Sequence, residues 1–173
     1  MVNYSLTLES TLASVNTPLN PKNYNLAVSR ALKRLIDWAA TKVSRHFSRV
    51  ANLPVRALKH RFYKSVIFDK QQASLWLGLS KIQVDYLGRV RQTKRGVSVR
   101  GQHFDGAFVA TMKNGHTRTF RRSSKASLPI EYVYKKITTD EDIDAYLASI
   151  SREIEQKFAK ELEYQIGYIS GGK

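Results

Sequence analysis

Hydrophobic residues change their spacing twice along this chain. Val28, Leu32, Leu35, Ala39, Val43 and Phe47 recur at helical intervals, and Ile36 and Trp38 widen the stripe. Arg30, Lys33, Arg34, Arg45 and Arg49 lie largely off it. The spacing predicts a long amphipathic helix starting near Asn23 or Asn25, either of which can cap. A shorter helix follows, with Asn52 as N-cap, Pro54 in the first turn, and Val55, Leu58 and Phe62 on one side. After Asp69 the period falls to two. Segments 73–79, 82–88, 96–101, 106–112, 116–122 and 130–137 read as five or six strands. The polar stretch between Leu87 and Val97 reads as a loop. Ile143, Leu147, Ile150, Ile154, Phe158, Leu162 and Ile166 then restore the helical period. Thr139 and Asp142 bracket a capping box, with Asp in place of the usual Glu or Gln, and Gly167 marks the end of the helix.

Two helices, a run of strands and a last helix predict an α+β layer fold. Its mostly antiparallel sheet of five to six strands packs against a long N-terminal helix and a long C-terminal helix. Residues 1–20 form an arm or a short strand over 4–8, residues 21–168 a single domain, and 169–173 a flexible tail. Within the sheet, "FDGAFVATMKNGHTRTFRR" (104–122) predicts a β-hairpin. Asn114-Gly115 suits the two positive φ angles of a type I′ turn. Phe120 is then the core contact, and Arg118 and Arg122 beside it in alternation face outward. Those arginines meet the next subunit, DNA or water, in that order of preference.

Charge adds a partner class. Twenty-nine Lys and Arg stand against fourteen Asp and Glu in 173 residues, a formal +15. Such a chain seeks DNA, RNA or an acidic protein surface. The charge is unevenly placed. Residues 22–64 hold eleven bases and one acid; residues 81–125 hold eleven bases and two acids; residues 139–165 hold eight acids and three bases. That alternation suits head-to-tail contact between copies as well as polyanion binding. No apolar run is long enough to span a membrane, and the N-terminus does not read as a signal peptide, so synthesis in a cytoplasm is expected. Cysteine is absent, which removes disulfides, thiolate metal sites and a cysteine nucleophile.

Candidate chemistry is sparse. His46, His60, His103 and His116 show no metal-ligand spacing, and no phosphate-binding or nucleophile-elbow motif appears. Asp85 and Asp105 are the carboxylates nearest to a catalytic pair, and Asp85, Glu131 and Lys135 are the residues a metal-dependent nuclease would use. The aromatic residues Tyr63, Phe68, Trp76, Tyr86, Phe104, Phe108, Phe120, Tyr132 and Tyr134 interleave with the charges, and at alternate strand positions they read mainly as core. No catalytic residue, metal or cofactor is expected.

Several motifs, in order, resemble the minor tail protein Z family of tailed bacteriophages, the tail-completion proteins. They are "NLAVSRALKRL" on the first helix, "LPVRALKHRF" on the second, "GAFVATMKNGHTRTFRR", "LPIEYVYKKI", and the closing "KELEYQIGY". The likeness runs over roughly residues 24 to 166, and "GAFVATMKNG" followed by "LPIEYV" is its most specific part. The resemblance implies a structural virion protein at the head-proximal end of the tail. It implies a homo-oligomeric ring, most often six-fold, that helps join tail to head and positions the genome end. Partners would be the tail terminator or tail tube protein, the head–tail connector and genomic DNA. A free basic DNA- or RNA-binding protein is the alternative. Arg89, Arg91, Lys94, Arg95, Arg100, Arg118, Arg121 and Arg122 are the candidate DNA or partner contacts. Arg30, Arg34, Arg45, Arg49, Asp140, Glu141, Asp142 and Asp144 are the candidate subunit-interface residues.

Overall fold

A computed structural model of the chain describes residues 5–9, 19–67, 70–78 and 81–171. Phe68 and Leu79, read above as aromatic and strand positions, lie outside them, as does most of the N-terminal arm. In chain order the elements are β1 (Ser5–Glu9), α1 (Pro21–Val50), α2 (Val55–Lys59), β2 (Phe62–Ile67), β3 (Gln72–Leu77) and β4 (Lys81–Gln83). After a 3-10 turn (Val84–Tyr86) come β5 (Arg91–Thr93), β6 (Gly96–Val99), β7 (Gln102–Asp105), β8 (Ala107–Thr111) and β9 (Thr117–Arg122). The chain ends with β10 (Ile130–Tyr132), β11 (Tyr134–Lys136) and α3 (Asp140–Ser170). The class is α+β, as the periodicity implied. Among the described residues the strands do not join into the single sheet of five to six strands. The strands form three three-stranded sheets and one two-stranded sheet, all antiparallel. They belong to two compact units, residues 1–46, 59–78 and 139–173, and residues 47–58 and 79–138.

The first unit is held by an antiparallel seam between α1 and α3. Leu35 packs with Ile150 and Ile154, flanked by Trp38, Tyr146, Leu147 and Phe158. Polar pairs follow the same register: Arg34 meets Glu161 at 3.6 Å, Lys42 meets Glu153, and the His46 ring stacks on Tyr146 at 3.6 Å. The start of α1 is Asn20, whose Oδ1 accepts the Asn23 amide at 2.8 Å, with Pro21 opening the helix. Asn23 and Asn25 therefore lie inside the helix rather than at its cap. α3 begins as expected, with both arms of the Thr139–Asp142 capping box formed. It continues through Gly167 and is capped at Gly171 instead. The unit's sheet, β1–β3–β2, buries Ala73, Leu75 and Leu77. Asp37 on α1 accepts from Lys64 of β2 at 2.6 Å, and Asn25 accepts from Gln71 at 2.8 Å. Of the two readings of the N-terminal segment, the strand describes residues 5–9.

The second unit takes the last turn of α1. Asn52 adopts a left-handed φ of 49°. Its amide donates to Arg49 and that of Leu53 to Ser48, a Schellman arrangement that ends α1. Asn52 thus terminates one helix rather than capping the next, and α2 is a five-residue helix anchored by buried Leu58. Segment 82–88 is not one strand, because Val84–Tyr86 tightens into the 3-10 turn. Segment 130–137 changes partner in mid-course. Its first half pairs with β9 and its second with β4. Val133, between them, donates to Thr119 O at 3.2 Å and accepts from Val84 at 3.0 Å. One extended segment so serves two sheets.

The seam gives a direct stability test. Leu35→Ala removes the α1 member of the cluster and should cost about 2–5 kcal/mol in chemical denaturation. Exposed Glu155→Ala on α3 is the matched control and should change the midpoint little.

Candidate functional site

The two units divide the charge unequally. Fifteen of the 29 Lys and Arg fall in the second unit with only three of the fourteen acids, Asp85, Asp105 and Glu131. The other fourteen bases are nearly matched by eleven acids in the first unit. The second unit therefore carries net +12 of the total +15.

Its cations ride on small hairpins. The polar stretch read as a loop is itself a strand and a turn: β5 pairs with β6 through Arg91↔Ser98 and Thr93↔Gly96, and Lys94–Arg95 form the turn. Gln92 secures this hairpin. Its Nε2 donates to Gly96 O at 2.8 Å, and its Oε1 accepts the Val109 amide of β8 at 2.9 Å. Gly96 is obligatory, since a Cβ there would sit 2.1 Å from Phe104 O. Arg100 is at the opposite end of β6 from Lys94 and Arg95, so these cations are not one loop. Arg100 and Gly101 take φ of 49° and 76°, the pair of positive angles a type I′ turn needs. The sequence placed that turn at Asn114-Gly115. There only Gly115 has positive φ, and the loop is the three-residue Lys113–Gly115, closed by Met112 and His116. Asn114 Oδ1 instead accepts the His116 amide at 3.1 Å.

The β8–β9 hairpin forms as expected, with Phe120 buried. Phe108, Phe120 and Tyr132 make a cross-strand row of rings, with centroids 6.2 and 5.1 Å apart. Alternation puts Arg118 and Arg122 on the same face as Phe120. Arg122 lies over the Phe108 ring at 5.6 Å, and half-buried Arg118 donates to Thr117 O. Arg121 is exposed opposite Glu131. Arg89, Arg91, Lys94, Arg95 and Arg100 are also exposed. Tyr63, Tyr86, Tyr132 and Tyr134, read mainly as core, are exposed as well, and Lys81 sits over Tyr134 at 4.5 Å. A tyrosine tolerates such exposure, because its hydroxyl can be solvated while part of its ring packs.

The comparison with protein families decides the assignment. The profile of prophage minor tail protein Z matches residues 16–169. The chain belongs to that family. No curated protein and no solved structure matches it. Membership makes it a structural protein of a phage tail, carried in the virion with other tail components. The match also takes in residues 16–23, ahead of the first motif that carries the likeness.

In this minor tail protein two of the three residues named for nuclease chemistry, Asp85 and Lys135, have other bonds. Asp85 accepts from the Thr119 hydroxyl at 2.7 Å and its amide at 3.2 Å, which closes the turn against β9. Lys135 donates to the Ala51 carbonyl beyond α1. His103 pairs with Asp105 at 3.1 Å on β7. Among the described residues no three His, Asp or Glu gather as a metal would require, and no helix is long and apolar enough to cross a membrane.

The interface residues named on the helices lie mostly in the first unit. Arg34 is committed to Glu161 and stands 5.3 Å over Tyr164; Arg30 and Arg45 are exposed. Arg49, also exposed, falls in the second unit. Asp140 is the first residue of α3, Asp142 is used in the cap, and Glu141 and Asp144 are exposed. Between α1 and α3 runs an open groove of about 510 Å³, lined by Arg30, Lys33, Arg34, Asp37, Tyr164, Gln165 and Tyr168. The sequence singled out neither the groove nor its tyrosines.

Two measurements probe this surface. Left-handed backbone costs an arginine up to roughly 1 kcal/mol more than it costs Asn, whose short polar side chain tolerates it, so Arg100→Asn should raise stability by up to about that amount in thermal melts. Burial, reinforced by the charge of Arg100, holds Lys135 below the ordinary lysine value of 10.5. The folded chain then binds this proton less tightly than the unfolded one, and stability gains from rising pH as 10.5 is approached from below. Lys135→Met should flatten that rise in urea titrations.

Proposed function

We propose that this chain is a tail-completion subunit that closes into a ring, six-fold with the tail tube, at the head-proximal end of the tail. There it helps join tail to head and position the genome end, between the tail terminator or tail tube protein and the head–tail connector. The observation that carries this reading is the charge partition within a member of a tail-protein family. One unit is strongly cationic and offers Arg89, Arg91, Lys94, Arg95, Arg100, Arg118, Arg121 and Arg122 to DNA or an acidic neighbour. The other is close to charge balance, as a surface that must pack against copies of itself should be.

Electron microscopy of purified particles with a tagged chain should locate it at the neck. Finding the tag at the distal tip, or only free in the lysate, overturns the reading. Reversing Arg91 and Arg121 to Glu should leave the fold intact and sharply lower infectious titre. In duplex-binding titrations the slope of log affinity against log salt should become shallower by about one for each phosphate that the variant no longer neutralises. A chain that binds DNA with the full slope but never enters particles would instead be a free nucleic-acid-binding protein.

A further inference from the structure

We propose that the groove between α1 and α3 receives the N-terminal tip of α3 from the neighbouring copy. This inference rests on the ring reading and specifies its contact. The groove is cationic: Arg30 and Lys33 form no salt bridge among the described residues, while Asp37, its one acid, is neutralised by Lys64 at 2.6 Å. Exposed Tyr164 and Tyr168 also line it, and a tyrosine hydroxyl can donate to a carboxylate. The acidic counterpart is on the same chain but far away. Glu141 and Asp144 are exposed on the first turns of α3, and at 1.5 Å per residue that tip is roughly 35 Å along the helix from Gln165 in the groove.

A chain with a socket at one end of a helix and its complement at the other cannot satisfy itself. It can satisfy a neighbour, and the result is a heterologous contact that repeats head to tail. The spacings agree. Arg30 and Lys33 are three residues apart on one helix, as are Glu141 and Asp144 on the other, so both pairs stand one turn apart and can face each other. Nucleic acid is the poorer occupant, because the groove offers only a few cations, whereas the second unit carries net +12 of the total +15.

The chain has no cysteine, so a two-site cross-link has no background. Lys33→Cys combined with Asp144→Cys, oxidised in assembled particles, should give a ladder of covalent multimers, while either substitution alone gives none. Charge exchange provides an independent arm on the purified chain. Copies carrying Arg30→Glu with Lys33→Glu should self-associate at least ten-fold more weakly, as should copies carrying Glu141→Lys with Asp144→Lys. Mixing the two should restore association, since each then offers the other an opposite charge at both ends. Circular dichroism melts of each variant check that the helices remain formed. No ladder from the double-cysteine chain, or no rescue on mixing folded variants, overturns the inference. So does a groove reversal that abolishes duplex binding and leaves self-association untouched, which would make DNA the occupant. A chain seen at the neck without the ladder would sink this contact and spare the ring reading.

Discussion

Short strands impose the governing constraint on this molecule. Among the described residues no strand exceeds six residues. Every strand edge carries backbone donors and acceptors that must find partners. A broad sheet would satisfy them by lateral extension. Here the partners come from elsewhere: Val133 bonds to β9 on one side and to Val84 on the other, Gln92 bonds with its side chain to the backbone of β6 and β8, and Asp85 takes the Thr119 amide. Side chains follow the same rule, for no buried side-chain nitrogen or oxygen among the described residues lacks a partner. The large buried apolar side chains are shared between the helices, as with Leu32, Leu35, Phe47 and Ile143, and the strands and turns, as with Leu75, Leu77, Ile82 and Leu87.

The same division organises the charges. Where the helices meet, acids and bases neutralise each other within the chain, as Arg34–Glu161 and Lys42–Glu153 show. Part of the alternation of basic and acidic segments in the sequence is therefore spent inside the chain. Such pairs contribute little to stability at exposed positions, about 0–1 kcal/mol each. They do remove charge from the helical surface. No comparable supply of acid falls in the second unit: of its three carboxylates Asp85 is already bonded to Thr119, and most of its arginines stay exposed.

What could be read from the residues was whatever depended on local periodicity. α3 declared itself through an unbroken stripe and a capping pair, and α1 through its stripe, although its cap is Asn20. The Phe108–Phe120 hairpin was legible from Asn114-Gly115, but the turn type was not, since a bulged three-residue loop needs only one left-handed residue there. The reverse error occurred at Arg100-Gly101, where an arginine in a left-handed position gives no sequence signal of the turn it makes. The strand change at Val133 and the 3-10 turn at Val84–Tyr86 depend on distant partners, which periodicity does not record. The groove is likewise a product of helix register, bringing Arg30 beside Tyr164 across more than 130 residues of chain.

The charge partition has a kinetic side. An approaching polyanion feels a field that is strongly one-sided in source, and it is drawn toward the cationic unit before any contact forms. The field acts over about 8 Å at physiological ionic strength, so the pull is a short-range aim rather than long-range capture. Orientation is then selected during encounter, and misdirected collisions are discarded early. On the proposed reading, in which one unit meets a polyanion and the other its own kind, such a bias separates the two recognition events in time.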